Sequence, residues 1–152
     1  MSKPNTNINT FKKSIESTIK AISKKSDINI LFGSDNKSYY QNVNLPEVNK
    51  NKIYKSKLSI RGKSDAASLV NRYHDKKIHQ RMSPANLETK IIFDEIEFLR
   101  CELLGSAKYP GIKKNLLDFD IEYINEKITE NIKLSKPETF KLFLKNNILG
   151  LN

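Results

Sequence analysis

The chain has 152 residues and a mass of 17.5 kDa, the size of one ordinary domain, and its 38% hydrophobic and 29% charged residues exclude a wholly disordered chain. No apolar run approaches the roughly 20 residues of a membrane-spanning helix, and a single cysteine, Cys101, rules out an internal disulfide or a Cys-based metal cage. The 27 basic residues exceed the 17 acidic ones, and the excess is N-terminal: residues 1–90 carry 18 basic and 7 acidic side chains, residues 91–152 carry 9 and 10.

In chain order, residues 1–9 read as a flexible N-terminus, and the mixed Lys/Ser/Ile sequence after Met1 lacks the apolar core of a secretory signal, so a cytoplasmic location is expected. Phe11, Ile15, Ile19 and Ile22 recur at helical spacing and predict a helix over 10–24, capped by Asn9 or Thr10. Ile28 to Phe32, followed by Gly33-Ser34-Asp35-Asn36, predicts one short strand and a turn. Residues 37–64 read as a loop or short edge strand. Within them Lys50, Lys52, Lys55, Lys57, Arg61 and Lys63 form a basic stretch with no acid between Glu47 and Asp65.

Ser64 or Asp65 is the expected N-cap of a helix through Tyr73, broken near His74-Asp75. One more turn over Ile78 to Met82 precedes Ser83-Pro84. Asn86 then opens the expected central helix, with Ile92, Phe93, Ile96, Leu99, Cys101, Leu103 and Leu104 on a broad apolar face and Gly105 as terminator. A short helix around Ile112 to Leu117 follows, then a second over Ile121 to Ile132, then a last one opened by Pro137. The fold class is mainly α, a single helical domain over 10–152 with a small β element near residues 28–32.

Few residues announce chemistry. Gly62-Lys63-Ser64 imitates the tail of a phosphate-binding loop, but the required earlier glycine is Lys57 and no downstream Asp-bearing strand completes the site. His74 and His79 lie five apart with Asp75 between; a metal would need i, i+4 spacing on one helix and a third protein ligand, neither of which is visible. Capping of the preceding helix by His74 or Asp75, and hydrogen bonding of the loop to a core helix, are the competing roles. Asp94, Glu95, Glu97 and Glu102 crowd the central helix around Arg100, and Glu97 can pair with Arg100 at i, i+3 or with Arg61, Arg72 or Arg81 across the fold. Cys101, without a base beside it, reads as a packed thiol. No catalytic residue and no metal ligand is assigned.

The order and spacing of Arg61-Gly62, Asp65-Ala66, Leu69, His74-Asp75, His79, Arg81, Pro84, Phe93-Asp94, Glu97, Arg100, Glu102, Gly105, Gly111 and Asn115-Leu116 resemble the N-terminal region of the T subunit of the aerobic, ATP-dependent cobaltochelatase. The specific phrases are His-Asp-x-x-x-His-x-Arg-x-x-Pro and Phe-Asp-x-x-Glu-x-x-Arg-x-Glu-x-x-Gly. The resemblance implies a non-catalytic docking subunit of a complex that inserts cobalt into hydrogenobyrinic acid a,c-diamide during cobalamin synthesis. It implies two partners, an AAA+ ATPase subunit and a large tetrapyrrole-binding subunit. It also implies a complex that uses ATP, Mg²⁺ and Co²⁺, with no cofactor on this chain. The acidic linker and von Willebrand type A domain that usually follow, with their Asp-x-Ser-x-Ser site, are not found in this sequence, so their metal-dependent contact is not expected of it.

Read physically, Arg61, Asp65, His74, Asp75, His79, Arg81, Asp94, Glu97, Arg100 and Glu102 form a polar network that locks helices or faces a partner, and Gly62, Gly105 and Gly111 serve turns and caps. Arg81 and Arg100 are the expected interface anchors. The alternative from composition is a small nucleic-acid-binding protein using Lys50 to Lys63. Against it, 23 of the 27 basic residues are lysine, and arginine, the side chain suited to bidentate recognition, occurs four times.

Overall fold

A computed structural model describes residues 4–33, 40–48 and 53–149, with side chains from 7 and from 57 onward at the first and third of these starts. It is mainly helical, as expected. The described residues form six helices and one two-stranded sheet: α1 (Pro4–Ser23), β1 (Asn29–Phe32), β2 (Asn42–Leu45), α2 (Ile53–Tyr73), α3 (Lys76–Met82), α4 (Leu87–Lys108), α5 (Pro110–Thr129) and α6 (Lys136–Leu149). No helix among the described residues is long and apolar enough to cross a membrane. The turn residues Ser34 to Asn36, and Lys50 and Lys52 of the basic stretch, lie outside the described residues.

α1 starts at Pro4 rather than near residue 10 and buries Ile15 and Ile19. It stops where Lys24 turns to φ 57 and the Lys25 N–H donates to the Lys20 carbonyl, a left-handed C-terminal cap made without glycine. The expected strand exists, and its partner, whose place and pairing the sequence reading did not give, lies in the stretch read as loop or short edge strand. β1 and β2 pair in parallel, Ile30 opposite Val43 and Phe32 opposite Leu45, so that Val43 and Leu45 are sealed beneath α1 and α2. Asn42 and Asn44 flank the apolar positions of β2 and lower its strand signal, and its pairing depends on tertiary context.

The largest correction concerns α2. The lysine-dotted segment from Ile53 onward is helix, not loop or edge strand, and Ser64 and Asp65 sit in its interior instead of capping it. Ser64 and Ser68 satisfy their hydroxyls by donating to the carbonyls of Arg61 and Ser64 at 2.8 and 2.6 Å, so residues that ordinarily stop a helix run through this one. Lysine is itself a good helix former, and two lysines of the stretch fold over aromatic rings, Lys57 over Phe11 and Lys63 over Phe119. α2, not α4, is the central helix. Ile60 and Ala67 face the sheet and α1, whereas Leu69 and Val70 join Cys101, Ile112 and Leu116 from α4 and α5.

Of Gly62, Gly105 and Gly111, the first two are crossing points rather than turns. A Cβ on Gly62 would lie 2.2 Å from the Cβ of Phe119 on α5 and 3.1 Å from the Asn115 carbonyl; on Gly105 it would lie 2.2 Å from Leu69 Cδ2. The absent side chains let α5 and α4 close on α2 from two sides. Helix α4 therefore continues past Gly105 to Lys108, and α5 runs unbroken where two helices were expected, because nothing between Leu117 and Ile121 interrupts it. Gly111 stands inside the first turn of helix α5 rather than in a turn before it, with open space around it. Substituting Gly62→Ala is expected to cost about 1–3 kcal/mol despite the better helix propensity of alanine, since the obstacle is the Phe119 Cβ and not a side-chain tip that can swing away. Urea denaturation would measure it; a variant as stable as the parent would show that α2 and α5 do not meet this closely.

Candidate functional site

Two polar networks meet α4, and most of the residues singled out by sequence belong to the first. The first joins the α2–α3 corner to the N-terminal half of α4. His74 occupies the two-residue link after α2, and Pro84, which forces Ser83 into an extended conformation (ψ 128), ends α3. Asp75 caps α3, not the preceding helix: its Oδ1 accepts from the N–H groups of Lys77 and Ile78 at 2.9 and 3.0 Å, which holds its carboxyl below the ordinary pKa. Asn86 caps α4 by accepting from the Thr89 N–H.

α3 buries no residue, so polar and ring contacts hold it to α4. His79 Nε2 lies 2.8 Å from Asp94 Oδ1, and the His79 ring stacks on Phe93 with centroids 4.7 Å apart. His74 Nδ1 lies 3.0 Å from Glu97 Oε1, with Tyr40 edge-on to its ring at 5.5 Å. The two histidine rings are T-shaped to each other at 4.9 Å. Arg100 clamps Glu97 bidentately, Nε to Oε2 at 2.7 Å and Nη2 to Oε1 at 2.8 Å, and Nη2 also donates to the Tyr73 carbonyl at 2.9 Å. The i, i+3 pair expected from sequence is thus present and fastens α4 to the end of α2.

These partners set the protonation states. The Arg100 guanidinium draws the Glu97 pKa down to about 2; partial burial opposes it and His74 adds to it. For Asp94 burial works upward, but hydrogen bonds from Lys90 and His79 outweigh it and keep the carboxylate below its ordinary value. Cys101 lies buried beneath this network with its thiol pushed up to about 12, chiefly by burial and then by Glu97, so it is a packed thiol as expected.

The second network, under α6, gathers residues the sequence reading did not connect. Lys145, 2% exposed and the sole buried residue of α6, bridges Glu102 Oε2 of α4 at 2.7 Å and Asp120 Oδ2 of α5 at 2.6 Å. Lys141 stands 3.4 Å from both Glu95 and Glu102. Burial pushes the Asp120 pKa up, whereas Glu102, burial notwithstanding, is held below its ordinary value by its two lysines. A cleft of about 520 Å³ opens beside this cluster, walled by Phe98, Phe119, Tyr123, Glu102, Asp120 and Lys141. Lysines four apart on one helix, with acids on its neighbours, were the available signal, but lysine on a solvated face gives the same spacing.

The remaining candidates fall elsewhere. Asp65 is buried in mid-α2 and accepts from Asn115 Nδ2 of α5 at 2.7 Å, and burial raises its pKa to about 6. Arg61, one turn earlier, is exposed, and its guanidinium lies 6.0 Å from the Phe11 ring centroid. Arg81 stands exposed near the end of α3, outside both networks, and Glu102 belongs with Lys145 rather than with Arg100.

His74, His79, Asp94, Glu97 and Arg100 therefore meet in space as the two sequence phrases suggest, the first from α3 and its preceding link, the second from α4. No solved structure matches the chain. A family model described as cobalamin biosynthesis protein CobT matches residues 5–141, from the first helix into the last. The motif pair and this match agree, and the chain belongs to the CobT family of cobalamin biosynthesis proteins.

Proposed function

We propose that this chain is a docking and assembly subunit of the ATP-dependent cobaltochelatase that inserts cobalt into hydrogenobyrinic acid a,c-diamide, contacting the AAA+ ATPase and the large tetrapyrrole-binding subunit in the cytoplasm. The family match over residues 5–141 carries the reading. The domain offers what a transmitting part needs. Helices locked by Arg100 on the Tyr73 carbonyl and by Lys145–Glu102/Asp120 move as one body. Large apolar side chains stand in water on two adjacent helices: Ile92, Ile96 and Leu104 on α4, and Phe140, Phe143 and Ile148 on α6. Nucleotide-driven movement of a ring bound to this surface would pass to the tetrapyrrole site without chemistry on this chain. ATP and Mg²⁺ belong to the ATPase in this scheme, and Co²⁺ is substrate.

Titrating the chain against the AAA+ subunit at near-physiological salt, with and without ATP, is expected to give saturable, nucleotide-sensitive binding. Replacing Phe143→Asp, at 62% exposure, should weaken it at least tenfold while leaving the fold intact. A chelatase assay of the complex with and without the chain tests the function; unchanged cobalt insertion would end the proposal.

A further inference from the structure

We propose that His74, His79 and Glu97 form a binding site for a borderline divalent ion of the Zn²⁺ or Co²⁺ class, with Asp94 as its outer partner. The sequence showed two histidines at the wrong spacing and no third ligand. Folding changes both facts. His74 comes from the α2–α3 link, His79 from α3 and Glu97 from α4, and one ligand atom from each lies within 4.8 Å of the other two.

Three features make this more than proximity. First, the ligand chemistry fits: two imidazoles and one carboxylate suit Zn²⁺, Co²⁺ and their neighbours, and three protein ligands leave a position open to water or another donor. Second, the rings are held before any ion arrives, by the Phe93 stack on His79 and the Tyr40 edge on His74. Third, an outer shell is present. Asp94 Oδ1 lies 2.8 Å from His79 Nε2 and can accept from it, which leaves Nδ1 of a neutral ring as the ligating nitrogen; a carboxylate on the far nitrogen is the usual support of a metal-bound histidine.

Glu97 is oriented by Arg100 and shares a proton with His74 Nδ1 across 3.0 Å. That spacing is close to the ~3.3 Å between two ligand atoms of a tetrahedral ion with bonds of about 2.0–2.1 Å. The ion takes the place of that shared proton. His74 then ligates through Nδ1 and carries its proton on Nε2, so the ring changes tautomer with no net proton lost. His74, Glu97 and His79 have side chains 11–15% exposed, enough for an ion to enter without unfolding the corner.

The test uses the full chain with no affinity tag, stripped with chelator and titrated with CoCl₂ and then ZnCl₂ at pH 7.5. One saturable equivalent with visible cobalt d–d bands is expected, bleached by Zn²⁺. In histidine ¹⁵N spectra His74 should switch from the Nδ1–H to the Nε2–H tautomer on adding Zn²⁺, with His79 unchanged in tautomer. His74→Gln and His79→Gln should each weaken binding more than tenfold, and Asp94→Asn, which spares the three ligands, about 10–100-fold. Should a variant lose its fold by circular dichroism, the wild-type chain still decides: its thermal midpoint must rise with Zn²⁺. No saturable binding, no tautomer switch, or undiminished binding in folded His79→Gln would each leave these residues as a clamp for α3 and nothing more.

Discussion

Replacing Lys145 with methionine is expected to destabilise the domain by about 3–5 kcal/mol, because it strands buried carboxylates without their shared cation. Methionine fills nearly the same unbranched volume, so packing is largely conserved and charge is what changes. Glu102 keeps Lys141 at 3.4 Å, but Asp120, 8% exposed, loses the 2.6 Å contact with Lys145. A domain of this size has a total stability of about 5–15 kcal/mol, so a loss on this scale frees α6 before it unfolds the rest. Hydrogen exchange should show α6 amides losing protection while α1 and α2 keep theirs. Adding Asp120→Asn to Lys145→Met should recover a large part of the loss, because the stranded charge is removed. A single variant within about 0.5 kcal/mol of the parent by urea denaturation would mean that the buried bridge is not formed.

Legibility in the sequence followed the physics of each element. α1 buries one face, so Ile15 and Ile19 stood out at helical spacing, whereas the broad apolar face expected of α4 is split: Leu99 and Cys101 are buried, but Ile92, Ile96 and Leu104 are exposed. α2 is buried on two sides, and Ser64, Asp65, Ser68 and Asn71 lie among its apolar residues; no single stripe remains to be seen. Local rules then misplaced its start, since serine and aspartate favour caps unless tertiary partners such as Asn115 receive them. Gly62 and Gly105 were read as turn residues because close helix crossings leave no local trace. β2 depends on a partner strand thirteen residues earlier by register.

The polar site was half legible. His74, His79, Asp94, Glu97 and Arg100 sit in motifs, and the Glu97–Arg100 pair follows from helical geometry alone. That Glu97 also reaches His74 required the α2–α3 corner to fold back on α4, which no spacing along one helix could reveal. Lys145 was invisible for the converse reason: among the lysines whose side chains are described, the buried one is distinguished only by what packs against it.

Asp65→Asn is expected to stabilise the protein, and increasingly so as pH rises. The carboxyl is 4% exposed, its one hydrogen-bond donor shown is Asn115, and burial lifts its pKa from 3.8 to about 6. Because the folded value lies above the unfolded one, the native state binds more protons than the unfolded state between roughly pH 4 and 6. Stability due to this group therefore falls as pH rises through that window and stays low above it. A displacement of about two units corresponds to a cost of order 2–3 kcal/mol at pH 7.5. Asparagine can accept from Asn115 without carrying a charge, so the variant should be more stable than the parent by about 1–2 kcal/mol at pH 7.5 and nearly equal to it at pH 4. Other carboxylates titrate in the same range with the opposite sign: Glu97, Asp94 and Glu102, held low by cations, withdraw stability as pH falls. The informative quantity is consequently the difference between the two pH profiles, measured by urea denaturation at several pH values, in which those shared terms cancel. A difference that is flat with pH, or that narrows as pH rises, would show that Asp65 is not buried against α5 as described.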